Sequence, residues 1–446
     1  MPVEIPSGLP FSVDTWTAKS KMKRHHFLTH AHKDHSSGIC AYGSYPIYAT
    51  SVTKSLVLLQ YPKLDESLFV CIEAGESIVI KDPDGDFTVS AFHANHCQGA
   101  SMFLYEGGFG NILHTGDSRL TPDCLECLPR KYIRKNGNGP CLPRLDFVFL
   151  DCTFGNCPLK FPSKHIATQQ VINCIWNHPN AGTIHLACDL LGQEDILVSV
   201  CKAFGVRLYI DKFSNAEFFC LLMETCPEIV SDDATSRFHL LNAFPNLHKR
   251  ATSLLAKAES HPLIIRPSAQ WYACEDEQME AKRPKKLRLD EAVRDQFGIW
   301  HVCYSIHSSK DELEWALEIL SPKWVVSTTP TSCKAVDLDY VKRHCSGTFL
   351  KQDDSLWKLF NIAPEETKVP RLRKTSGSSG KGAVVFIDEE EDVDTSVKES
   401  SPLVESSDCF SVNMRKRYRS MNVPIPRPLP SLLHLMEASK RPRRDL

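Results

Sequence analysis

Residues 29–38 read THAHKDHSSG and place three histidines and an aspartate within six positions. They follow the apolar run HHFL, the exit of a predicted strand. Side chains this polar do not help a core, and holding them together costs free energy unless a partner offsets it. A metal ion is that partner, because imidazole and carboxylate lone pairs are its ordinary ligands. His30 and His32 are two apart, so on a strand or its extended exit they project to the same side. Asp34 and His35 follow at the turn and can face a neighbouring position, so one short loop can supply ligands to two adjacent ions. Local spacing cannot close such a site, and the fold must bring further ligands to this loop.

Those ligands lie just after other apolar, β-rich runs: His96 in FHANHCQG, Asp117 in HTGDSR and His307 in YSIHSS. A site on a sheet rim needs its ligands there, on loops positioned by strands. Two zinc-type ions about 3.5–4 Å apart lower the pKa of a bridging water and clamp the attacking and leaving oxygens of a phosphodiester. A lone histidine is better read as satisfying a local hydrogen bond. HxHxDH with three further ligands on strand ends does not fit that reading.

The chain has 446 residues, enough for two or three domains or one large domain with additions. From 1 to about 155, short β-rich runs (RHHFLTH, PIYATS, ESIVI, FTVSAFHA, SMFLYEG, NILHTG, DFVFLD) alternate with polar loops. From about 160 the rhythm changes to helix and strand in turn, beginning with SKHIATQQVINCIWNHP, TIHLACD, QEDILVSVCKAFG and VRLYID, which argues for βαβ units and a mostly parallel sheet. The polar stretch 272–295 reads as an exposed loop; GIWHVCYS, a serine-capped helix in SSKDELEWALEILSP and KWVVSTT follow. Beyond about 365 the composition is that of a disordered tail. No stretch approaches the ~20 apolar residues of a membrane span. The opening MPVEIPSGLPF lacks the pattern of a signal peptide, so the 18 cysteines are expected to be reduced thiols. DCLEC (123–127) holds a C-x2-C, weak evidence for a structural zinc without a second clean pair. Basic clusters at 282–288, 415–419 and 440–444 favour a nuclear protein.

The motifs together resemble the nucleic-acid-processing β-CASP branch of the metallo-β-lactamase family, in particular its DNA repair nucleases. The matching stretches are VDTW (13–16), THAHKDHSSGI (29–39), ANHCQGASMFLYEG (94–107), TGDSR (115–119), LDCTF (150–154) and YSIHSS (304–309). The resemblance covers roughly residues 10–350 and implies an αββα sandwich interrupted by an α/β insert. Its implied segments are 1–157 and 297–362 for the sandwich, 158–296 for the β-CASP insert forming one wall of a DNA channel, and 363–446 for the tail. It further implies that His30, His32, His96 and Asp117 hold a first ion, with Asp34, His35 and His307 completing a second and Asp117 between them. The ions would be zinc, with magnesium or manganese admitted at the second position. Asp14 would orient a histidine ligand, and Asp151 would position the hydrolytic water or the metal cluster, so that Asp14, Asp34 and Asp151 carry catalytic roles. The implied activity is metal-dependent hydrolysis of DNA from a 5′ end by a monomer. Two residues between DH and Gly in DHSSG resemble the DNA-processing members rather than the RNA-cleaving ones, which have one. An RNA-processing nuclease and a catalytically weak DNA-binding adaptor are the alternatives.

Three departures from the family pattern bear on activity. Gln98 stands where the family has proline in HCPG, and His114 and Ser118 replace aromatic residues of YTGDFR. LLGQE (190–194) aligns with SLGKE, so Gln193 is expected in place of a lysine that meets a DNA phosphate, with weaker gripping of the DNA end. In the tail, VVFI (384–387) runs into DEEEDVD, a β-prone run that resembles motifs adding as a strand to small ubiquitin-like modifiers. VPIPRPLPSLLHLMEASKRPRR reads as a docking helix capped by Ser431.

Overall fold

The computed structural model describes residues 3–6, 8–134, 144–189, 191–257, 261–273, 288–329, 338–344 and 384–385. Three sheets organise them. The first holds four short parallel strands in chain order: β1 (Phe11–Val13), β2 (His25–Phe27), β3 (Ile47–Ala49) and β4 (Phe69–Cys71). The second begins as an antiparallel meander of β5 (Ser77–Ile80), β6 (Phe87–His93), β7 (Ser101–Gly107) and β8 (Gly110–His114). It continues in parallel through β9 (Phe147–Leu150).

The third sheet lies within the insert and uses β10 (Ile184–Cys188), β11 (Leu208–Tyr209), β12 (Val230–Ser231), β13 (Phe238–Asn242), β14 (Leu263–Pro267), β15 (Val293–Arg294) and β16 (Ile299–Val302). Its order is β12-β11-β13-β10-β14-β16-β15, parallel except for β15. The chain then returns to the second sheet as β17 (Trp324–Ser327), parallel to β9. On its far side, β17 is joined by β18 (Val384–Val385), also in parallel.

The first two sheets face each other across a core of alternate strand residues. Phe11, Phe27 and Tyr48 meet Val89, Phe103, Tyr105 and Phe149, with the Phe11 and Tyr105 rings stacked at 4.1 Å. Each such ring contributes roughly 1.5–3 kcal/mol by leaving water. Helices cover both outer faces. On the first sheet these include α1 (Lys33–Ser36), α2 (Ile39–Tyr42) and α3 (Ser51–Gln60), whose cluster also takes in Leu191 and Leu221 of the insert. On the second they are α4 (Pro122–Glu126), a helix at Lys310–Leu320 and another at Asp339–His344. The insert builds its own core from α5 (Lys164–Trp176), α6 (Glu194–Phe204) and α7 (Ala216–Thr225) against its sheet, with α8 (Leu247–Lys257) and α9 (Gln270–Ala273) following. The two helices after the insert are numbered α10 (Lys310–Leu320) and α11 (Asp339–His344). The whole is the αββα sandwich with an α/β insert expected from the sequence.

Local chemistry sets the helix boundaries. Ser163 accepts from Ile166 N to start α5, and Ser309 and Glu312 form a reciprocal capping box at α10. Three features differ from the sequence reading. SVTKSLVLLQ forms α3 within a region read as strands and loops, because the Thr50 cap fixes its first turn and Thr53, Leu56 and Val57 share one buried stripe. Ile299–Val302, expected in the return segment after 296, pairs with β14 and so belongs to the insert's sheet. Val384–Val385, the start of VVFI, lies on this chain's own sheet edge. Most of the loop expected at 272–295, the rest of the tail and its docking helix lie outside the described residues. Among the described residues no helix is long and apolar enough to cross a membrane.

Candidate metal centre

One rim of the molecule collects the exits of six strands, with β1 leading to Asp14. β2 leads to His30, His32 and, through α1, to Asp34 and His35; β6 leads to His96, β8 to Asp117, β9 to Asp151 and β16 to His307. Three sets of ligand atoms converge there: His30, His32, His96 and Asp117; Asp14, His30 and His35; and Asp117, Asp151 and His307. Within each set the atoms lie within 4.8 Å of one another. Asp117 is common to two sets and spans the rim: Oδ2 is 3.8 Å from both His30 Nε2 and His96 Nε2, and Oδ1 is 3.3 Å from His35 Nε2. Asp34 stands apart from these sets. Its side chain is 63% exposed, although Oδ2 comes within 3.6 Å of His35 Nε2.

The hydrogen bonds fix which ring nitrogens face inward. Thr29 donates its only hydroxyl proton to Asp14 Oδ2 at 2.6 Å, so its 2.9 Å contact with His30 must be donated by His30 Nδ1–H. His30 Nε2 is then a bare lone pair, and it is buried without a hydrogen-bond partner. A buried nitrogen left in this way needs a Lewis acid or a donor, and none of its protein neighbours supplies one. His96 gives its Nδ1–H to the Ile306 carbonyl at 3.1 Å and likewise turns Nε2 inward, 3.0 Å from His32 Nδ1. Burial lowers the pKa values of His30 and His96 well below the ordinary histidine value, and the neighbouring histidines add to this. Both are therefore neutral, the form that ligates metal.

Two histidines are held by carboxylates instead. Burial alone would lower the His35 pKa, but Asp117 and Asp14 overcome it and hold the pKa well above the ordinary value; Asp14 Oδ2 accepts from Nδ1 at 2.9 Å. His307 is also raised, with Asp151 Oδ2 2.7 Å from its Nδ1 prevailing over burial. Asp151 itself falls to about 2, despite burial, through His307 and bonds from Thr153 and Ser118. His30 and His96 offer neutral imidazoles, while His35 and His307 would release a proton to an incoming ion; with Asp117 between them, this donor set fits divalent ions.

Sequence reasoning missed the residues that lock the loops together. Arg119, 1% exposed, reaches Glu312 of α10 at 3.0 Å, the Ser305 carbonyl at 3.1 Å and the Pro162 carbonyl at 2.8 Å. It thereby bolts the Asp117 loop to the His307 loop and to the entry of the insert. Gly192 has φ +99°, and a Cβ there would come within 2.7 Å of Ile306 Cδ1, so only glycine lets the insert approach this close. The neighbouring Leu191 carbonyl lies 3.5 Å from His32 Nε2.

Gln193 does not face outward to a phosphate. It is 5% exposed, donates to the Pro267 carbonyl at 2.6 Å and accepts from Asp189 N, tying β10 to β14. Gln98 is exposed, and its turn is held by Thr50 and Thr53, whose hydroxyls donate to the Gly99 carbonyl. His114 fills its buried place by stacking on Phe149 at 5.4 Å. Cys124 and Cys127 donate to backbone carbonyls and join no metal-ligand set among the described residues.

Residues 223–333 match the family model described as DNA repair metallo-beta-lactamase. Over 322 residues the chain is 30% identical to 5′ exonuclease Apollo of Mus musculus, covering 71% of this chain and 53% of that one. The Gallus gallus 5′ exonuclease Apollo is 31% identical over 322 residues, 72% of this chain and 62% of that one. Protein artemis of Homo sapiens is 25% identical over 348 residues, 70% of this chain and 46% of that one. The chain thus spans about half the length of the curated relatives it matches.

Proposed function

We propose that this chain, which is similar to the DNA repair metallo-β-lactamases, is a nuclease that hydrolyses DNA phosphodiesters, working inward from a 5′ end. The observation that carries this reading is the convergence of His30, His32, His96 and Asp117 on one point, with His30 Nε2 buried and unpartnered. The family implies divalent ions, and we read them as zinc, with magnesium or manganese admitted at the second position. His30, His32, His96 and Asp117 would hold one ion; Asp117, His35 and His307 would hold the other, with Asp34 on its open side. An ion so held supplies Lewis acidity toward a phosphoryl oxygen and toward a water molecule at neutral pH.

The protein's own groups do the rest. Asp14 keeps His35 Nε2 and, through Thr29, His30 Nε2 aimed inward. Asp151 holds the His307 ring by Nδ1. Asp34, the exposed carboxylate of the rim, would take the proton of the attacking water at Oδ2. The 5′ direction is drawn from the exonuclease relatives, and nuclear action from the match to the DNA repair family model together with the basic clusters at 415–419 and 440–444. The chain acts as a monomer in this reading, and the VVFI sequence would meet a small ubiquitin-like modifier in place of the pairing of Val384–Val385 with β17.

The test is digestion of labelled single-stranded DNA bearing 5′-phosphate or 5′-hydroxyl ends, with Asp34→Ala as control. Stepwise loss from the phosphorylated end, absent in the variant, is expected. A folded, zinc-loaded protein that leaves DNA intact would overturn the reading; cleavage of the matching RNA in its place would transfer it to RNA.

A further inference from the structure

Large apolar side chains are ordinarily covered, and the two most exposed phenylalanines of the described residues are Phe213 and Phe244, at 89% and 57%. Both lie on loops leaving the carboxyl ends of β11 and β13, which are adjacent parallel strands. In open parallel sheets, ligands bind beyond that end. It is also the end from which β16 delivers His307 and from which the loop after β10 brings Leu191 to His32.

Contacts carry both loops to the metal rim. Phe213 is followed by α7, whose Glu217 pairs with Lys33 at 2.7 Å, between His32 and Asp34 in sequence. Phe244 rests on the Arg266 guanidinium, 5.7 Å from the ring centroid, and Arg266 is anchored to Asp189 at 2.8 Å in the loop that runs on to Leu191. The backbone at each ring is fixed by a local bond: Phe213 N donates to Asp211 Oδ1 and Phe244 N to Asn242 Oδ1, each at 3.0 Å. A lysine neighbours each ring in sequence. Lys212 precedes Phe213 and reaches Asp232 only at 3.6 Å; exposed Lys249 follows Phe244 at the start of α8.

Exposed rings fixed at the backbone and interleaved with lysines suit a chain of stacked bases on a phosphate backbone. Building on the nuclease reading above, we infer that Phe213 and Phe244 form a stacking platform for unpaired bases of single-stranded DNA next to the scissile bond. Lys212 and Lys249 would face the phosphates between those bases. Phe244 is the stronger position, because the cation beneath it orders the ring.

The experiment compares wild type, Phe213→Ala, Phe244→Ala and the double variant. Binding would be read by fluorescence anisotropy on a 5′-phosphorylated oligothymidylate and on an oligomer of the same length made wholly of abasic residues, in calcium to block turnover. Each substitution is expected to weaken oligothymidylate binding about tenfold. Wild type should lose on the abasic oligomer about what the double variant loses on oligothymidylate, on the order of a hundredfold, whereas the double variant should bind both oligomers alike. Hydrolysis of thymidine 5′-(4-nitrophenyl phosphate), too short to reach the platform, should keep its kcat in all variants. Unchanged affinity in the double variant, or equal losses on both oligomers, would overturn the platform while leaving the nuclease reading intact. A wild-type protein that neither binds nor cleaves DNA would instead defeat the nuclease reading, and the platform with it.

Discussion

Replacing Asp14 by Asn changes one oxygen to an amide and should reach the metal centre through a proton. Asp14 sits at φ +53°, a conformation that Asn tolerates as well as Asp, so the backbone is not at issue. Its Oδ1 accepts from Thr29 N at 2.7 Å, and its Oδ2 accepts from Thr29 Oγ1 and from His35 Nδ1. The new amide must displace one of these oxygens. Turned toward Thr29 N it sets donor against donor in a buried site, at about 1–3 kcal/mol. Turned toward Thr29 Oγ1 it makes the hydroxyl an acceptor, whose proton then points at His30 Nδ1. The His30 proton would move to Nε2, and the inward lone pair would be lost. His35 loses one of the two carboxylates that hold it in either case.

Removal of an outer carboxylate of this kind weakens metal binding 10–100-fold, or about 1.4–2.7 kcal/mol. Zinc competition against a chromophoric chelator at pH 7.5 measures the affinity, and thermal unfolding of the metal-free protein measures the structural cost separately. A variant that melts lower without metal yet binds zinc within twofold of wild type would refute the relay. The bonds of Asp14 would then serve the fold alone.

Three further outcomes follow from the same geometry. Arg119→Lys keeps the charge but cannot span Glu312, Ser305 and Pro162 together, so kcat should fall about 10–100-fold with zinc loss at the His307 side, read by kinetics and metal analysis; an unchanged kcat would mean that the loops are held without it. Gln193→Lys buries an ammonium beside Asp189 and Pro267, and DNA affinity at matched salt should not rise, whereas tighter binding would show that the side chain reaches phosphate after all. Glu194 is buried and its pKa is pushed up to about 7 by desolvation, above the 4.5 of an ordinary glutamate. Between those values the folded state holds a proton that the unfolded chain has released, so stability falls as pH rises from about 4.5 to 7 and is flat above. Glu194→Gln should remove about 3 kcal/mol of that fall, seen as a shallower decline in denaturant midpoint than wild type over the same range; parallel curves would contradict the assignment.

What could be read from the sequence was whatever a short stretch decides for itself. HAHKDH announces ligands because its spacing and its strand exit are both local, and the Ser309–Glu312 box is visible as a spacing of three. Helix α3 was hidden because its stripe of Thr53, Leu56 and Val57 lies in a run rich in β-branched and apolar residues, and only the Thr50 cap tips it toward helix. Membership of β16 could not be read at all, since GIWHVCYS is a strand wherever it pairs, and its partner β14 lies over 30 residues upstream.

The same limit governs side-chain direction, and there it changes function. The family resemblance led to the expectation of Gln193 in the place of a phosphate-binding lysine, but whether a residue in a strand-to-helix loop faces water or the next strand depends on which acceptors the fold offers. Here the Pro267 carbonyl and Asp189 capture the amide at both ends. Thr29 is the converse case. It lies inside the very stretch that announces the site, yet its part depends on Asp14, 15 positions away and turned back by its left-handed backbone, taking the hydroxyl proton. The candidate ligands are written in the motif, but which of their nitrogens would be free to bind is decided by a residue outside it. A chain carrying HAHKDH without an acceptor at position 14 would keep the ligands and lose the proton arrangement that turns His30 Nε2 into one.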